Sequence, residues 1–504
     1  MTTKIIRINQ IAKEKPNEVF TSIYHLINKE LLLECFHELD GNKAKGTDNV
    51  TKEEYLSKLD ENLDNLVLRL KNMGYRPSPA RKVEIPKANG KMRSLAIANF
   101  EDKIVQMAVK KLLEAIYEPK FTNNMFGFRP NKNCHDALRY LNQCIERKYT
   151  NYILDADIKG YFDNIDHDKL IACLEIHVKD SNLLRLIKRF LKAGIIENGK
   201  YEEGKVGTPQ GSILSPILAN IYMYYSIILW FEKIKKQSKG YMEIINYADD
   251  IVMCFQYKDE AEETYRKMKD RLKLCGLEFA EDKTKLIEFG RFAKENRKRK
   301  GLGKPETFDF LGFTHYCSGS KKTGKFRVKR KTSKKKLKKA ISEFKTWIKE
   351  NRNKKLNDII VSVKKKLTGH YNYYGITDNI DSNARYYYSV YRELYKWLNR
   401  RSQKKSYTEE TFKQLIEVFN LPKPKIKVNI YAIWGNSIFT RSRMRERRTY
   451  GSARAVWGNS YFYSIMRQFR AYYIVSKLKI LCCFNISNRD ILSHYQLLIL
   501  HIII

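Results

Sequence analysis

Hydrophobic and polar positions change their period several times along this chain, which predicts a mixture of helices and strands. In residues 20–39, 55–73 and 101–117, apolar side chains recur every three or four positions, as they do on one face of a helix. Residues 81–98 instead alternate like two strands around an Asn-Gly pair, which is a β-hairpin pattern. The N-terminal part is therefore predicted to be mostly helical, with one hairpin.

Residues 150–320 have a different character. The stretches 152–158 and 245–255 are each predicted to be a buried strand, although both contain carboxylates, and helical patterns lie between and after them. Strands that alternate with helices favour a mixed α/β domain. From about residue 333 to 420 the pattern is helical again and rich in tyrosine. We therefore expect an α+β protein with an all-helical region after its sheets.

Length and charge narrow the class of protein. The chain has 504 residues, enough for about three domains of ~150 residues. Hydrophobic residues make up 43%, which excludes wholesale disorder. Lys and Arg total 96 against 56 Asp and Glu, a formal charge of +40. Such a charge predicts a polyanionic partner, with nucleic acid the first candidate and an anionic membrane surface the second.

Two further features exclude other classes. No run of ~20 apolar residues is present, so a membrane-spanning helix is not expected, and the N-terminus lacks the apolar core of a signal peptide. The nine cysteines form no Cys-x-x-Cys pair. A disulfide framework or a zinc site is therefore not expected, and a reducing setting fits best.

Carboxylates inside apolar strands are the first candidate chemistry. Asp155 and Asp157 lie in one predicted strand, and Asp249 and Asp250 lie in the other. Buried ionised carboxylates are costly unless a cation neutralises them, and oxygen ligands suit Mg²⁺. Either motif alone leaves open that the acids cap strand ends or pair with lysines. Together, in so basic a chain, they predict a divalent metal site.

An ordered series of motifs over about residues 40–375 resembles the reverse transcriptases encoded by group II introns. The series runs NKAKGTD (42–48), IPKANGKMRSLAIANFEDKIVQ (85–106), FGFRPNKNCHDAL (126–138), DADIKGYFDNIDH (155–167), GTPQGSILSPILANIYM (207–223), YADD (247–250), KTK (283–285) and FDFLGF (308–313). LTGHYNYYG (367–375) resembles the signature of domain X, the maturase region of these proteins.

The resemblance implies a right-hand polymerase followed by an all-α thumb or domain X. It divides the chain into an N-terminal helical extension with a fingers loop (1–80), fingers (81–150), an α/β palm (151–320), a thumb and maturase domain X (321–420), a basic aromatic segment for DNA or RNA (421–460) and a tail without an assigned role (461–504).

The same resemblance implies the catalytic residues. Asp157, Asp249 and Asp250 would hold Mg²⁺, and Ile158 would offer its backbone carbonyl. Asp157 is preferred to Asp155 because an aromatic residue follows it by five positions. The acids at 163, 166 and 168 are expected to cap the next helix.

Further residues are expected to form the dNTP pocket. They are Phe162 as a steric gate against a 2′-hydroxyl, Lys87 and Arg93 on the triphosphate, Gln210 and Gly211 beside the nucleotide, and Lys283 as proton donor to pyrophosphate. A core aromatic, a solvated hairpin, a plain turn and a surface lysine are the structural alternatives. Asn246 replaces a frequent arginine, which predicts the loss of a primer or template contact.

RNA binding is expected from basic and aromatic residues after the palm. The candidates are Lys329, Arg330, Lys331, Lys335, Tyr373, Tyr374 and Arg445, acting through phosphate contact and stacking. A solvated lysine face and tyrosines in a helical core are the alternatives. Neither a Cys-x-x-Cys pair nor a suitable His cluster follows residue 420, so an HNH endonuclease is not expected.

The predicted function is RNA-directed DNA synthesis by two-metal nucleotidyl transfer, together with assistance to intron splicing and mobility. Expected partners are group II intron RNA, an RNA template with a DNA primer, target DNA and dNTPs, in a bacterial cytoplasm at the nucleoid. The alternatives are an RNA-binding splicing factor without polymerase activity and a domesticated or defence-associated reverse transcriptase. The oligomeric state stays open.

Overall fold

A computed structural model describes residues 3–86, 92–197, 199–320, 323–401 and 406–432. Lys87, Arg445, most of the segment 421–460 and the whole tail 461–504 lie outside the described residues. In the described ranges, the α-helices are α1 (Thr3–Glu14), α2 (Lys29–Glu38), α3 (Lys52–Leu56), α4 (Leu59–Lys71), α5 (Phe100–Tyr117), α6 (Cys134–Arg147), α7 (His167–Glu175), α8 (Ser181–Lys192), α9 (Ser215–Met223), α10 (Leu229–Lys235), α11 (Lys258–Leu274), α12 (Ala293–Arg299), α13 (Lys334–Asn351), α14 (Leu356–Tyr374), α15 (Ile380–Leu398) and α16 (Glu409–Val418).

The strands form three sheets. They are β1 (Ala80–Pro86), β2 (Met92–Ile97), β3 (Tyr152–Asp157), β4 (Ile195–Glu197), β5 (Lys200–Glu202), β6 (Met242–Tyr247), β7 (Asp250–Phe255), β8 (Lys285–Glu288), β9 (Phe308–Phe310), β10 (Phe313–Gly319) and β11 (Phe326–Thr332). The central sheet has the order β6-β7-β3-β8, a second sheet the order β2-β1-β4-β5, and a third the order β11-β10-β9. Helices α13–α16 follow the sheets, so the expected mixed fold with a helical C-terminal region is confirmed.

The central sheet separates two hydrophobic cores. Leu154 of β3 packs among residues of α5, α7, α8 and α9, while its neighbour Ile153 packs with α6 and the third sheet. Successive side chains of a strand point to opposite faces, so one buried strand can supply both cores. Helices α13–α16 enclose a third core around Phe344, Leu367 and Phe412.

Two predictions about this region are wrong. Residues 245–255 are not one strand but lie in the β6–β7 hairpin, because Ala248 adopts a left-handed φ of 58° that reverses the chain. The boundary predicted at residue 320 falls inside the β10–β11 hairpin, whose register runs from Phe313 opposite Thr332 to Gly319 opposite Phe326. Arg327, Lys329, Arg330 and Lys331 therefore lie on β11, and the helical region begins at α13.

Among the described residues, none of the helices is long and apolar enough to cross a membrane.

Candidate active site

A cavity of about 700 Å³ opens where β3 ends and the β6–β7 turn meets it. It brings together seven of the residues singled out from the sequence: Arg93, Asp157, Ile158, Phe162, Gln210, Asp249 and Lys283. They come from segments almost 200 positions apart in the chain. The remaining walls are residues 159–161, Asp163 and residues 278–282.

The carboxylates crowd together at the end of two paired strands. Asp157 on β3 lies directly opposite Asp250 on β7, so both side chains project from the same face of the sheet. Asp249 occupies the adjacent turn and lines the cavity. Burial raises the pKa of Asp249, and the charge of Asp157 raises it further. Desolvation and the charges of Asp249 and Asp157 raise the pKa of Asp250 to about 6. This concentration of negative charge favours a bound cation.

Lys283 supplies one cation, since its Nζ lies 2.5 Å from Oδ2 of Asp157. Lys283, which is predicted to donate a proton to pyrophosphate, therefore forms an ion pair with Asp157 in this structure. The described residues contain no ready-made group of three His, Cys, Asp or Glu side chains that could hold a metal ion. The donor chemistry nevertheless fits Mg²⁺, which prefers carboxylate and carbonyl oxygens and keeps several of its waters.

A chain of polar side chains crosses the cavity mouth. Arg93 Nε donates to Gln210 Oε1 at 2.7 Å, and Gln210 Nε2 donates to Asp163 Oδ1 at 2.9 Å. Asp163 was expected to cap a helix, yet the N-cap of α7 is Asp166, which accepts from the backbone N–H of Lys169. The bond from Gln210 to Asp163 gave no local sequence signal, because the two residues are 47 positions apart.

Gly211 packs against the backbone of strand β2 and does not line the cavity. A Cβ on it would lie 2.8 Å from the carbonyl oxygen of Ala96 on β2, and its φ is 109°. Next to it, the backbone N–H of Ala96 donates a hydrogen bond of 2.7 Å to the carbonyl of Gln210, which holds the two segments together. Strand β2 therefore requires the small size of Gly211, and its predicted place beside the nucleotide stays a prediction.

Two residues that were not singled out from the sequence, Phe128 and Gly127, contact the predicted gate Phe162 and the β6–β7 turn, respectively. The ring of Phe128 meets Phe162 edge-on at 6.2 Å, and Phe128 has a left-handed φ of 56°. Its neighbour Gly127 lies against the β6–β7 turn, where a Cβ would come within 2.2 Å of Ala248 N. The only sequence signal was their place in FGFRP. These contacts fix the turn that carries Asp249.

Asn246 is not at a nucleic-acid surface. It is fully buried, and its side-chain amide donates to the carbonyl of Ala248 at 2.6 Å. It therefore braces the hairpin from inside, and the loss of a primer or template contact at this position stays a prediction.

Strand β11 carries Lys329 and Lys331 on one face and Arg330 on the other, and Lys335 follows in the first turn of α13. Lys329 is half-buried and Lys331 and Lys335 are exposed, whereas Arg330 points the other way and is fully buried. The Arg330 guanidinium donates to Asn142 Oδ1 at 2.5 Å and to the Val328 carbonyl at 3.1 Å. The prediction that Arg330 contacts RNA is wrong, since the period of two places it in the core.

Tyr373 and Tyr374 also pack inside. Tyr373 donates to the Leu311 carbonyl at 2.9 Å, and its ring lies parallel to Phe313 at 5.9 Å. Tyr374 packs against Phe313 at 5.3 Å and against His370 at 4.6 Å. Both join α14 to the third sheet, which favours the structural alternative, and stacking on RNA stays a prediction for these two partly buried rings.

The Arg330 assignment can be tested by stability. We expect Arg330→Met to lower the free energy of unfolding by about 1–3 kcal/mol, because it leaves a buried amide oxygen without its donor. RNA affinity should stay within twofold. Lys331→Met removes the same charge from the exposed face and should weaken RNA binding while changing stability by less than about 0.5 kcal/mol. Denaturant titration measures the free energy of unfolding, and filter binding measures RNA affinity. An equal loss of RNA affinity in the two variants would contradict the assignment.

Comparison with known proteins supports the motif series. Residues 85–315 match the reverse transcriptase (RNA-dependent DNA polymerase) family, and residues 334–415 match the group II intron, maturase-specific domain. The group II intron-encoded protein LtrA of Lactococcus lactis subsp. cremoris is 40% identical over 222 residues, 43% of this chain and 36% of the relative. An uncharacterized 91 kDa protein in the cob intron of Schizosaccharomyces pombe is 37% identical over 224 residues, 44% of this chain and 28% of the relative.

Protein YkfC of Escherichia coli is 35% identical over 187 residues, 36% of this chain and 49% of the relative. The aligned part thus spans less than half the length of each of these three proteins. With both domain matches in the order that the motifs predict, the chain carries a reverse transcriptase domain followed by a group II intron maturase-specific domain, and it is similar over this part to group II intron-encoded proteins.

Proposed function

We propose that this protein is an RNA-directed DNA polymerase that copies an RNA template from a DNA primer. One observation carries the proposal: a single cavity joins Asp157 and Asp249 to Arg93, Gln210 and Phe162. Paired carboxylates, a cationic side chain and an aromatic wall are what nucleotidyl transfer to a primer 3′-hydroxyl requires. In terms of the family, residues 81–150 would be the fingers, residues 151–332 the palm, and the helices from residue 334 to 420 the thumb and domain X.

Asp157, Asp249, Asp250 and the Ile158 carbonyl would hold Mg²⁺. When bound, two such ions activate the 3′-hydroxyl and neutralise the leaving pyrophosphate. Arg93 would move from Gln210 to the incoming triphosphate, where its guanidinium can bind two oxygens. Lys283 would leave Asp157 and donate a proton to pyrophosphate. Gln210, held by Asp163, would mark the edge of the nucleotide site, and Lys87 would contribute a second cation at the hairpin tip.

Phe162 would act as the gate that excludes ribonucleotides. We expect Phe162→Ala to raise incorporation of NTPs relative to dNTPs by roughly tenfold or more, since relief of a steric clash of ~1.4 kcal/mol has that effect. Single-nucleotide extension with dNTP and NTP in parallel measures the ratio. Phe292→Ala, at a half-exposed ring outside the cavity, is the control. An unchanged ratio for Phe162→Ala would remove it from this role.

We also propose assistance to splicing through binding of intron RNA. The match of residues 334–415 to a maturase-specific domain supports it, as do Lys329 and Lys331 on one face of β11 and the exposed Lys335 in the first turn of α13. Such cations reduce phosphate repulsion while a ribozyme folds. Intron RNA and target DNA would then be partners beside template, primer and dNTPs, and the protein would act at the nucleoid in a bacterial cytoplasm.

Primer extension on an RNA template with Mg²⁺ and dNTPs tests the polymerase. We expect extension to the end of the template. Tight binding of structured RNA without any extension would favour the alternative, a splicing factor that has lost polymerase activity.

A further inference from the structure

A second cavity, of about 410 Å³, lies between α8, the segment before β1 and the β4–β5 hairpin. Most of its lining is basic, with one aromatic ring: Arg76, Arg185, Lys188, Arg189, Lys192 and Tyr201. No part of it belongs to the cavity that holds Asp157 and Asp249. A pocket lined by five cationic side chains favours an anionic ligand.

The cations follow one face of α8. Positions 185, 188, 189 and 192 are spaced by three, one and three, which places them side by side along the helix. The opposite face, with Leu186 and Ile187, is fully buried. From 185 to 192 the row is ~10 Å long at ~1.5 Å per residue, enough to face two successive phosphates.

The positive charge of this row is not neutralised within the protein. In the described ranges, no carboxylate lies within ion-pair distance of the five cations. Arg189 donates only to the carbonyls of Met73 and Tyr75, at 2.9 and 2.8 Å. Burial, with the nearby charges of Arg76 and Arg185, lowers the pKa of the Arg189 guanidinium. Such a cluster stores repulsion that a polyanion relieves.

Tyr201 offers a stacking surface at the rim. Its side chain is 56% exposed. The ring rests on the backbone of Gly194, where a Cβ would lie 2.7 Å from the ring carbon Cε2. The glycine thus fixes the ring while leaving more than half of it open. Aromatic rings beside cations are the usual means of holding an unpaired base.

The second sheet connects this pocket to the polymerase cavity. Strand β2, with Arg93, is one edge and β5, with Tyr201, is the other. Arg93 pairs with Ile85 on β1, whereas Tyr201 is linked through Ile196 on β4 to Arg81 on β1. Three strand spacings and a four-residue offset put the two side chains about 20 Å apart. At ~3.4 Å per nucleotide, about six nucleotides span that distance.

We propose that this pocket binds single-stranded RNA, with phosphates on the α8 row and one unpaired base on Tyr201. Its first source would be the template segment that has not yet been copied, an identification that rests on the proposed polymerase function. An unpaired loop of structured RNA presents the same chemistry and is the second source.

The test is equilibrium binding of the full chain without dNTPs. Primer–template duplexes would carry template 5′ overhangs of two or eight nucleotides, and a hairpin RNA with an unpaired loop would represent the second source. We expect the triple variant R185Q/K188Q/K192Q to bind the eight-nucleotide overhang at least tenfold more weakly and the two-nucleotide overhang within twofold of wild type. The slope of log affinity against log salt should become shallower by about 2.

The ring is tested separately. Tyr201→Ala should weaken binding of the eight-nucleotide overhang by about 5- to 100-fold, and Tyr201→Phe should restore it, because the ring is kept. Arg189 is left intact since it holds two backbone carbonyls. Thermal melting would establish that each variant is folded.

A matched control removes the same charge elsewhere, with R266Q/K267Q/K273Q on α11. A loss confined to the long overhang identifies the template, and a loss confined to the hairpin RNA identifies structured RNA; both support the site. Losses on every ligand equal to those of the control would overturn it. Because no nucleotide is incorporated, these outcomes are independent of whether the chain polymerises DNA.

Discussion

Replacement of Asp249 by alanine is expected to reduce primer extension by a factor of about 10³ or more, equivalent to a loss of ~4 kcal/mol of transition-state stabilisation. Asp249 lines the cavity in the turn next to Asp157, and the raised pKa of its carboxyl shows how strongly neighbouring charge and burial act on it. Without this carboxylate, the proposed site would lose an oxygen ligand for Mg²⁺, and with it the activation of the 3′-hydroxyl that the metal would supply. Rate measurements under single-turnover conditions would quantify the loss.

RNA binding should separate from activity in the same variant. Asp249→Ala removes a negative charge from a basic protein, so RNA affinity should stay within a few-fold of wild type. Asp259→Ala, at an exposed position in the first turn of α11, removes the same group and should leave extension unchanged. If Asp249→Ala lost extension and RNA binding together, the carboxylate would be structural and the catalytic assignment would fail.

Gly127→Ala is expected to be nearly as damaging, although Gly127 does not line the cavity. A Cβ there would lie 2.2 Å from Ala248 N and 2.9 Å from the Tyr247 carbonyl carbon, both backbone atoms that cannot rotate away. The β6–β7 turn must shift, and Asp249 shifts with it. A displacement of ~1 Å at a reacting site can cost about 10² in rate, and overpacking should lower stability by about 1–3 kcal/mol.

The control is the same substitution where space is open. Gly303 has no neighbouring heavy atom within 4 Å of an added Cβ, so Gly303→Ala should preserve both extension and melting temperature. Extension and thermal unfolding of the two variants would be compared side by side. Wild-type activity in Gly127→Ala would show that the turn tolerates displacement and that its packing does not set the geometry of Asp249.

The two predictions address different levels of the site. In the proposed site Asp249 would supply a metal ligand, whereas Gly127 packs against the turn that positions Asp249. Between them lies the backbone turn at Ala248, held by Gly127 on one side and by the amide of Asn246 on the other.

Local patterns determined much of this protein from sequence alone. The period of three and four residues located α5 and the helices after residue 333, because neighbours on a helix face are close in the chain. The Asn-Gly pair between alternating residues located the β1–β2 hairpin for the same reason. The ordered motifs identified seven residues that the structure brings together in one cavity, since each motif is continuous in sequence.

Only the tertiary structure decided which side of each element faces the solvent and which distant residues meet. Arg330 lies in a run of cations, and its burial depends on the pairing of β11 with β10 and on Asn142, almost 190 positions away. Asp163 resembled a helix cap until the fold placed Gln210 beside it. Phe128 and Gly127 gained their importance from contact with the gate and the turn. Composition and period act between neighbours along the chain, whereas register and packing arise between segments that meet only after folding.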